Sequence, residues 1–246
     1  MPETSYDATA AAEYRAAREI PREGLTAWRR AVADEARLTA GMTVLDVGAG
    51  TGGFAAAFHD WFKVGVLAVE PAAAMRALIP AGAGVRALDG RAESLPVPDA
   101  CADAAWLGSV VHHLGDLDAA ARELRRALRP GAPVLIRNTF PGRSGRDLRV
   151  RFFPETADSV AGYPTVERVE AAFGAAGFRR VALRSVPQES APTLAAWADR
   201  LRRDSDTKLR ALGDAAYARG IARIREAAAA NPEERAISWM DLLVLR

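Results

Sequence analysis

The chain has 246 residues, with 33 Lys or Arg against 31 Asp or Glu and a formal net charge of +2. No apolar run approaches the roughly 18–20 residues of a membrane span, half the residues are hydrophobic, and the single Cys101 cannot close an internal disulfide. Membrane, disordered and disulfide-scaffold classes are thereby excluded. A pI near 9.0 does not point to nucleic acid, because the charges are mixed along the chain instead of gathered into one basic face. The start, MPETSYDATAAAEYRAAREIP, has acids where a secretory signal would hold an apolar core. With the lone thiol, it leads to the expectation of a cytoplasmic protein.

Leu25, Trp28 and Val32 recur at helical spacing, so residues 5–39 read as one or two amphipathic helices. The period then changes. Residues 42–48, MTVLDVG, are a β-branched run ending at glycine, which predicts a buried strand. Phe54, Phe58 and Trp61 follow on a helix, with His59 expected to face solvent. VGVLAVE at 64–70 predicts a second strand, and Met75, Leu78 and Ile79 a helix after it. Further strands are expected at 85–90, 102–109 and 132–140, with a helix over 116–128 stopped by Arg129-Pro130-Gly131. Thr165 can cap a helix running to Ala176, and Gly177 stands where a C-terminal glycine belongs. A sixth strand is expected at 179–186 and a seventh at 238–246. About three helices lie between them, striped by Leu194/Trp197/Leu201 and Tyr217/Ile221/Ile224. Strands alternating with single helices predict an α/β fold on a parallel sheet.

Leu45-Asp46-Val47-Gly48-Ala49-Gly50-Thr51-Gly52-Gly53 lies at the first strand-to-helix turn. Glycines there let a ligand approach backbone N–H groups at a helix start. Glu70 ends the second strand. Loop and acid together point to an adenosine-type ligand and fit a nicotinamide dinucleotide as well. Asp46 argues against the dinucleotide, because a carboxylate beside the loop suits a cationic amino group and repels a pyrophosphate.

Three more segments complete the pattern: Asp89-Gly90 followed by Arg91-Ala92-Glu93-Ser94-Leu95-Pro96, Gly108-Ser109-Val110-Val111-His112-His113-Leu114, and Leu128-Arg129-Pro130-Gly131. With the glycine loop they resemble the class I S-adenosylmethionine-dependent methyltransferases, in the small-molecule branch of the ubiquinone/menaquinone-type enzymes. The resemblance is strong over about 40–140. It implies a Rossmann-like, seven-stranded, mostly parallel sheet with the last strand antiparallel, helices on both faces and a helical insertion before that strand. It implies one domain over 1–246, made of a helical cap at 1–39, a donor-binding core at 40–140 and an acceptor side at 141–246 with the insertion at about 190–230.

The resemblance also implies the cofactor S-adenosyl-L-methionine and, by position, its contacts. Gly48, Ala49 and Gly50 would line the methionine part, near Asp46. Glu70, followed by Pro71, would take the ribose hydroxyls, and Met75 would pack near adenine. Arg91, Ala92 and Glu93 occupy the adenine-edge segment. Arg91 stands where relatives commonly have Asp; Arg cannot accept a hydrogen bond, which leaves that recognition to backbone groups or Glu93. Ser109 and Val110 would flank the sulfonium, and Tyr14 and Arg18 would close over the donor carboxylate. The implied reaction is methyl transfer to a small organic acceptor, with oxygen slightly ahead of nitrogen or carbon and secondary metabolism as one setting. The expected partner is that small molecule, with no nucleic acid or membrane, in a monomer or homodimer. A nicotinamide-dependent oxidoreductase and a protein that binds the donor without transferring remain as alternatives.

His113 and His112 follow the fourth strand's end, where open α/β sheets place ligands. Either could remove a proton from an acceptor hydroxyl, with His113 slightly preferred. The Glu-x-x-Glu-His metal motif of ubiquinone-type O-methyltransferases is replaced by Ser109-Val110-Val111-His112-His113, so no metal requirement is expected. Neither the Pro-Pro-Tyr/Phe motif of nucleic-acid amino-methyltransferases nor the paired glutamates of protein arginine methyltransferases is present there. Trp28, Trp106, Phe140, Phe152, Phe153, Tyr163 and Trp197 are expected to give the acceptor pocket an apolar lining. Arg143, Arg146, Arg149 and Arg151 read either as a solvated loop or as a grip for an anionic acceptor.

Overall fold

The computed structural model describes residue 11 and residues 22–80, 82 and 84–246. Seven strands, β1 Thr43–Val47, β2 Gly65–Val69, β3 Val85–Leu88, β4 Ala104–Gly108, β5 Val134–Asn138, β6 Arg180–Ala191 and β7 Ala236–Leu245, form one sheet. Their order is β3-β2-β1-β4-β5-β7-β6. β1 to β5 pair in parallel, and β7 runs antiparallel between β5 and β6. The chain leaves β1 toward one edge and returns to its other side at β4. This switch opens a crevice beyond the carboxyl ends of β1 and β4.

The helices are α1 Thr26–Ala36, α2 Gly53–Phe62, α3 Ala73–Arg76, α4 Leu117–Ala127, α5 Leu148–Phe152, α6 Ala157–Ala161, α7 Val166–Ala175, α8 Leu194–Arg200, α9 Thr207–Arg210 and α10 Asp214–Ala230. Strand alternation assigns them to faces. Ala104 and Trp106 of β4 join Trp28, Val32 and Phe58 from α1 and α2, whereas Ala105 and Leu107 join Leu124 of α4 and Phe173 of α7. Trp106 meets the rings of Trp28 and Phe58 edge-on, at 5.9 and 5.2 Å. Burying each such side chain contributes roughly 1.5–3 kcal/mol. Thr165 caps α7 by accepting from the Arg168 N–H at 3.2 Å. Gly177, at φ +91°, ends that turn as expected, and the Phe178 N–H closes onto the Phe173 carbonyl at 3.0 Å.

A third cluster joins Leu148, Phe152 and Phe153 to Leu194, Trp197, Leu209 and Ile224. It fastens the segment after β5 to the helices before β7. Gly220 makes this possible, because a Cβ there would run into the Phe153 ring.

Three local expectations need correction. The sixth strand continues to Ala191, because its second half pairs with an equally extended β7, Gln188 opposite Ser238. Pro187 is tolerated inside it because β6 is the sheet edge. The segment 141–163, for which the sequence suggested no helix or strand, holds α5 and α6. His59 does not simply face solvent: its Nδ1 lies 2.9 Å from the Val64 carbonyl, and its ring fills the space a Gly84 side chain would need. No helix among the described residues is long and apolar enough to cross a membrane.

Candidate active site at the switch point

The β1–α2 turn is built on backbone bonds to the neighbouring strand: the N–H groups of Gly48 and Ala49 donate to the Val69 carbonyl at 2.8 and 3.1 Å. Gly48 (φ +69°) must lack a side chain, since a Cβ would collide with Val110. Gly50 (φ +58°) opens onto free space. Glu70 fixes the turn from behind. Its carboxylate accepts the Gly50 N–H at 2.8 Å through Oε2 and the Ala72 N–H at 2.9 Å through Oε1.

The turn forms one wall of a cavity. Asp46, Gly48, Ala49 and Gly50 line it from β1, Ser109, His112 and His113 from the β4 end, and Arg137 and Asn138 from β5. Asp46 is 2% exposed, and its Oδ2 accepts no hydrogen bond among the described residues. Burial, reinforced by the Glu70 charge, pushes its carboxyl up to about 7. Ser109 takes the left-handed conformation at φ +59°. Its hydroxyl accepts from Arg137 Nη1 at 2.8 Å, while Arg137 Nη2 donates to Gln188 Oε1 at 2.5 Å.

Among the described residues, Asn138 and Tyr163 help to orient His112. Its Nδ1 lies 3.1 Å from Asn138 Oδ1, and its ring stacks on Tyr163 with centroids 3.9 Å apart and planes at 10°. Asn138 donates its own amide to the Thr139 carbonyl at 3.1 Å, which turns Oδ1 toward the imidazole. In neutral His112 the proton therefore sits on Nδ1, and Nε2 carries the lone pair. The His113 ring lies 4.1 Å from that of His112.

Seven of the expected site residues thus meet on one cavity: Asp46, Gly48, Ala49, Gly50, Ser109, His112 and His113. Val110 sits behind Gly48, and Glu70 behind the loop. Pro71 offers its carbonyl to Arg76 at 3.1 Å. Met75 and Ala92 are buried away from the cavity wall at 3% and 4% exposure. Arg91 bridges to Ser94 in a tight turn. Glu93 accepts the N–H groups of Gly115 and Asp116, at 3.0 and 3.4 Å, and so ties down the loop before α4. Tyr14 and Arg18 lie outside the described residues.

The far wall corrects two expectations. Of the aromatic residues assigned to it, Trp106, Tyr163 and Trp197 line the cavity. Trp28, Phe140, Phe152 and Phe153 are core residues, none more than 4% exposed. The rest of the wall is polar, with Thr139, Asp147, Arg149, Gln188, Asp206, Lys208 and Ser238 among its members. Nor do the arginines form a common grip, although Arg143, Arg146 and Arg151 are exposed as a solvated run would be. Arg143 makes a two-pronged bond to Asp241 at 2.6 and 3.0 Å, Arg146 covers the Trp239 ring at 3.3 Å, Arg149 pairs with Asp206, and Arg151 with Glu234 at 2.6 Å. The readable but missed signal was Arg137-Asn138, a polar pair at the end of an apolar strand. Lys208 and Asp206 have no such local mark.

A family profile described as a methyltransferase domain matches residues 45–136. The chain is 33% identical over 119 residues to the ubiquinone/menaquinone biosynthesis C-methyltransferase of Hahella chejuensis, covering 44% of this chain and 47% of that protein. It is 30% identical over 180 residues to the demethylmenaquinone methyltransferase of Thermus thermophilus, covering 61% of this chain and 80% of that one. The matched region thus spans about half of the first relative and four fifths of the second. Among solved structures, a methyltransferase from an antibiotic biosynthesis pathway of Anabaena variabilis superposes with a TM-score of 0.64 at 19% identity, covering 89% of this chain and 95% of that one. Phosphoethanolamine N-methyltransferase 2 of Haemonchus contortus, solved with phosphomonomethylethanolamine and S-adenosylhomocysteine, gives 0.63 at 20% identity over 99% and 59%. These two likenesses speak to the fold, and the sequence relatives to the lineage. With S-adenosyl-L-methionine as its cofactor, the chain belongs to the class I S-adenosylmethionine-dependent methyltransferases.

Proposed function

We propose that the protein transfers the methyl group of S-adenosyl-L-methionine to a hydroxyl oxygen of a small polar acceptor, with His112 as the base. The observation that carries the reading is Asp46, a buried carboxylate on the cavity wall beside the glycine turn, one of whose oxygens has no hydrogen-bond partner among the described residues. That group fits the ammonium of the donor's methionine part, with Gly48, Ala49 and Gly50 alongside and Glu70 next to the ribose. When bound, the donor supplies an electrophilic methyl group on its sulfonium. The protein's task is then to hold the acceptor in line, which can supply roughly 7–11 kcal/mol, and to take its proton. Asn138 and Tyr163 fix the His112 ring with Nε2 as the basic nitrogen, which favours His112 over His113 for that role.

Membership in the methyltransferase family sets aside the nicotinamide oxidoreductase. The curated relatives' names favour a second reading, carbon methylation, in which the same base would take a proton from the acceptor to make its carbon nucleophilic. Incubating the protein with a methyl-13C donor and a small-molecule extract, then recording carbon spectra of the labelled products, decides between them. A methoxyl signal supports the oxygen reading, and a carbon-bound methyl overturns it. Donor binding without labelled product from any extract counts against transfer altogether.

A further inference from the structure

We propose that Asp147, paired with Lys208, holds a hydroxyl of the acceptor other than the one methylated, so that the acceptor is an uncharged molecule bearing at least two hydroxyls. The inference rests on the methyl-transfer reading and extends it to the acceptor's chemical class.

Asp147 is 3% exposed and lines the cavity from the segment after β5. Its place is fixed by the backbone: its N–H donates to the Ser144 carbonyl at 2.9 Å, and its Oδ1 caps α5 by accepting the Arg149 N–H at 2.8 Å. The other contacts of the carboxylate are long. The Ser238 hydroxyl lies 3.5 Å from Oδ1, and the Thr139 hydroxyl and the Lys208 ammonium each lie 3.5 Å from Oδ2. Charge-assisted bonds settle at about 2.5–2.9 Å. Among the described residues, Oδ2 is therefore a buried carboxylate oxygen with no close donor. A ligand hydroxyl that donates to it forms a short bond where water has been removed, the setting in which such a bond counts most.

The neighbours of Oδ2 select the kind of donor. An ammonium on the acceptor would be repelled by Lys208, and a carboxylate or phosphate by Asp147 itself. The interior lining repeats this balance: Asp46, Asp147 and Asp206 stand against Arg137, Arg149 and Lys208, with Arg200 and Arg202 exposed at the rim. A hydroxyl suffers neither repulsion, and it can accept from Lys208, Thr139 or Ser238 while it donates to Asp147. The same wall carries the proposed base. Thr139 follows Asn138, whose Oδ1 faces the His112 imidazole, and Lys208 Nζ lies 5.8 Å from the Tyr163 ring that stacks on His112. One small acceptor can thus present its reacting group to His112 and its second hydroxyl to Asp147. Trp106, Tyr163 and Trp197 give an aromatic acceptor flat faces to lie against.

The test uses the full chain saturated with S-adenosylhomocysteine near neutral pH. It is titrated with catechol, resorcinol and hydroquinone, uncharged diols that differ in hydroxyl separation, and with phenol, benzoate and benzylamine. At least one diol is expected to bind about ten-fold or more tightly than each of the other three probes, the size of one hydrogen bond to a charged group. Asp147→Ser and Asp147→Asn both keep a residue suited to cap α5, and S-adenosylhomocysteine affinity should be unchanged in both. Serine does not reach the Oδ2 position and should remove the diol preference; asparagine loses the charge and should weaken it several-fold. No preference for any diol over phenol, including no binding of any probe, overturns the proposal. So do tighter binding of benzoate or benzylamine than of every diol, and a preference left unchanged by either substitution. Failure of S-adenosylhomocysteine itself to bind would instead strike the methyl-transfer reading.

Discussion

The Glu70 carboxylate accepts the backbone N–H of Gly50 at 2.8 Å, joining the end of the second strand to the turn after the first. The same group also accepts the Ala72 N–H, so one side chain sets the shape of both loops that border the proposed donor site. Hydrogen bonds to charged groups contribute roughly 1.5–3 kcal/mol. Glu70→Ala should weaken S-adenosylhomocysteine binding by about ten- to hundred-fold, measured by calorimetry, while Glu70→Gln should retain part of the loop geometry and lose less.

Gly48 and Gly50 differ in a way that substitution can expose. Both have positive φ, so alanine at either strains the backbone by roughly 1–3 kcal/mol. Only at Gly48 does the new methyl also strike Val110, which adds overpacking of a similar size. Gly48→Ala should therefore lower the unfolding midpoint more than Gly50→Ala, and Val110→Ala should relieve the steric part alone.

Asp46 makes stability depend on pH with a definite sign. Its carboxyl is raised from 3.8 to about 7 in the folded protein, so the native state keeps a proton that the unfolded chain releases. Between these values the unfolded state binds fewer protons. Stability consequently falls as pH rises from about 4 to about 7, by up to about 1.4 kcal/mol per pH unit. Asp46→Asn should flatten that slope in urea unfolding. A ligand ammonium favours the ionised carboxylate, so S-adenosylhomocysteine affinity should strengthen as pH rises toward 7.

His112→Ala should reduce kcat by roughly 10²–10⁴-fold while changing KM little, the pattern of a lost base. Asn138→Ala should give a smaller loss of kcat, because the imidazole would no longer be held in one tautomer. His113→Ala should leave kcat close to that of the parent. If His113→Ala causes the larger loss, the assignment of the base is wrong.

Asp241 joins Arg143 to Ser185 across three segments, accepting from the Ser185 hydroxyl at 2.8 Å. Asp241→Ala should cost roughly 1–3 kcal/mol of stability, short of a fully buried pair because Arg143 is half-exposed. Chemical denaturation would measure it, and acceptor affinity should be unaffected, since neither residue lines the cavity.

What the sequence determined by itself was everything written in local periods and short spacings. The switch from helical to strand period at Thr43, the glycine turn, Asp46 before it and Glu70 at the next strand end are each decided within a few residues of the chain. They place the proposed donor half because β1 and β2 are consecutive and parallel, so sequence order and spatial order agree. The acceptor half is different. Gln188 reaches Arg137 only through the β6–β7 register, Lys208 reaches Asp147 across 61 positions of chain, and Arg143 is claimed by Asp241 across 98. Exposed arginines that read as one run find separate partners in distant segments, and four of the seven aromatic residues that read as a pocket lining, Trp28, Phe140, Phe152 and Phe153, close into the core. Such partners are chosen by packing and desolvation between elements far apart in the chain, and only the folded arrangement decides them.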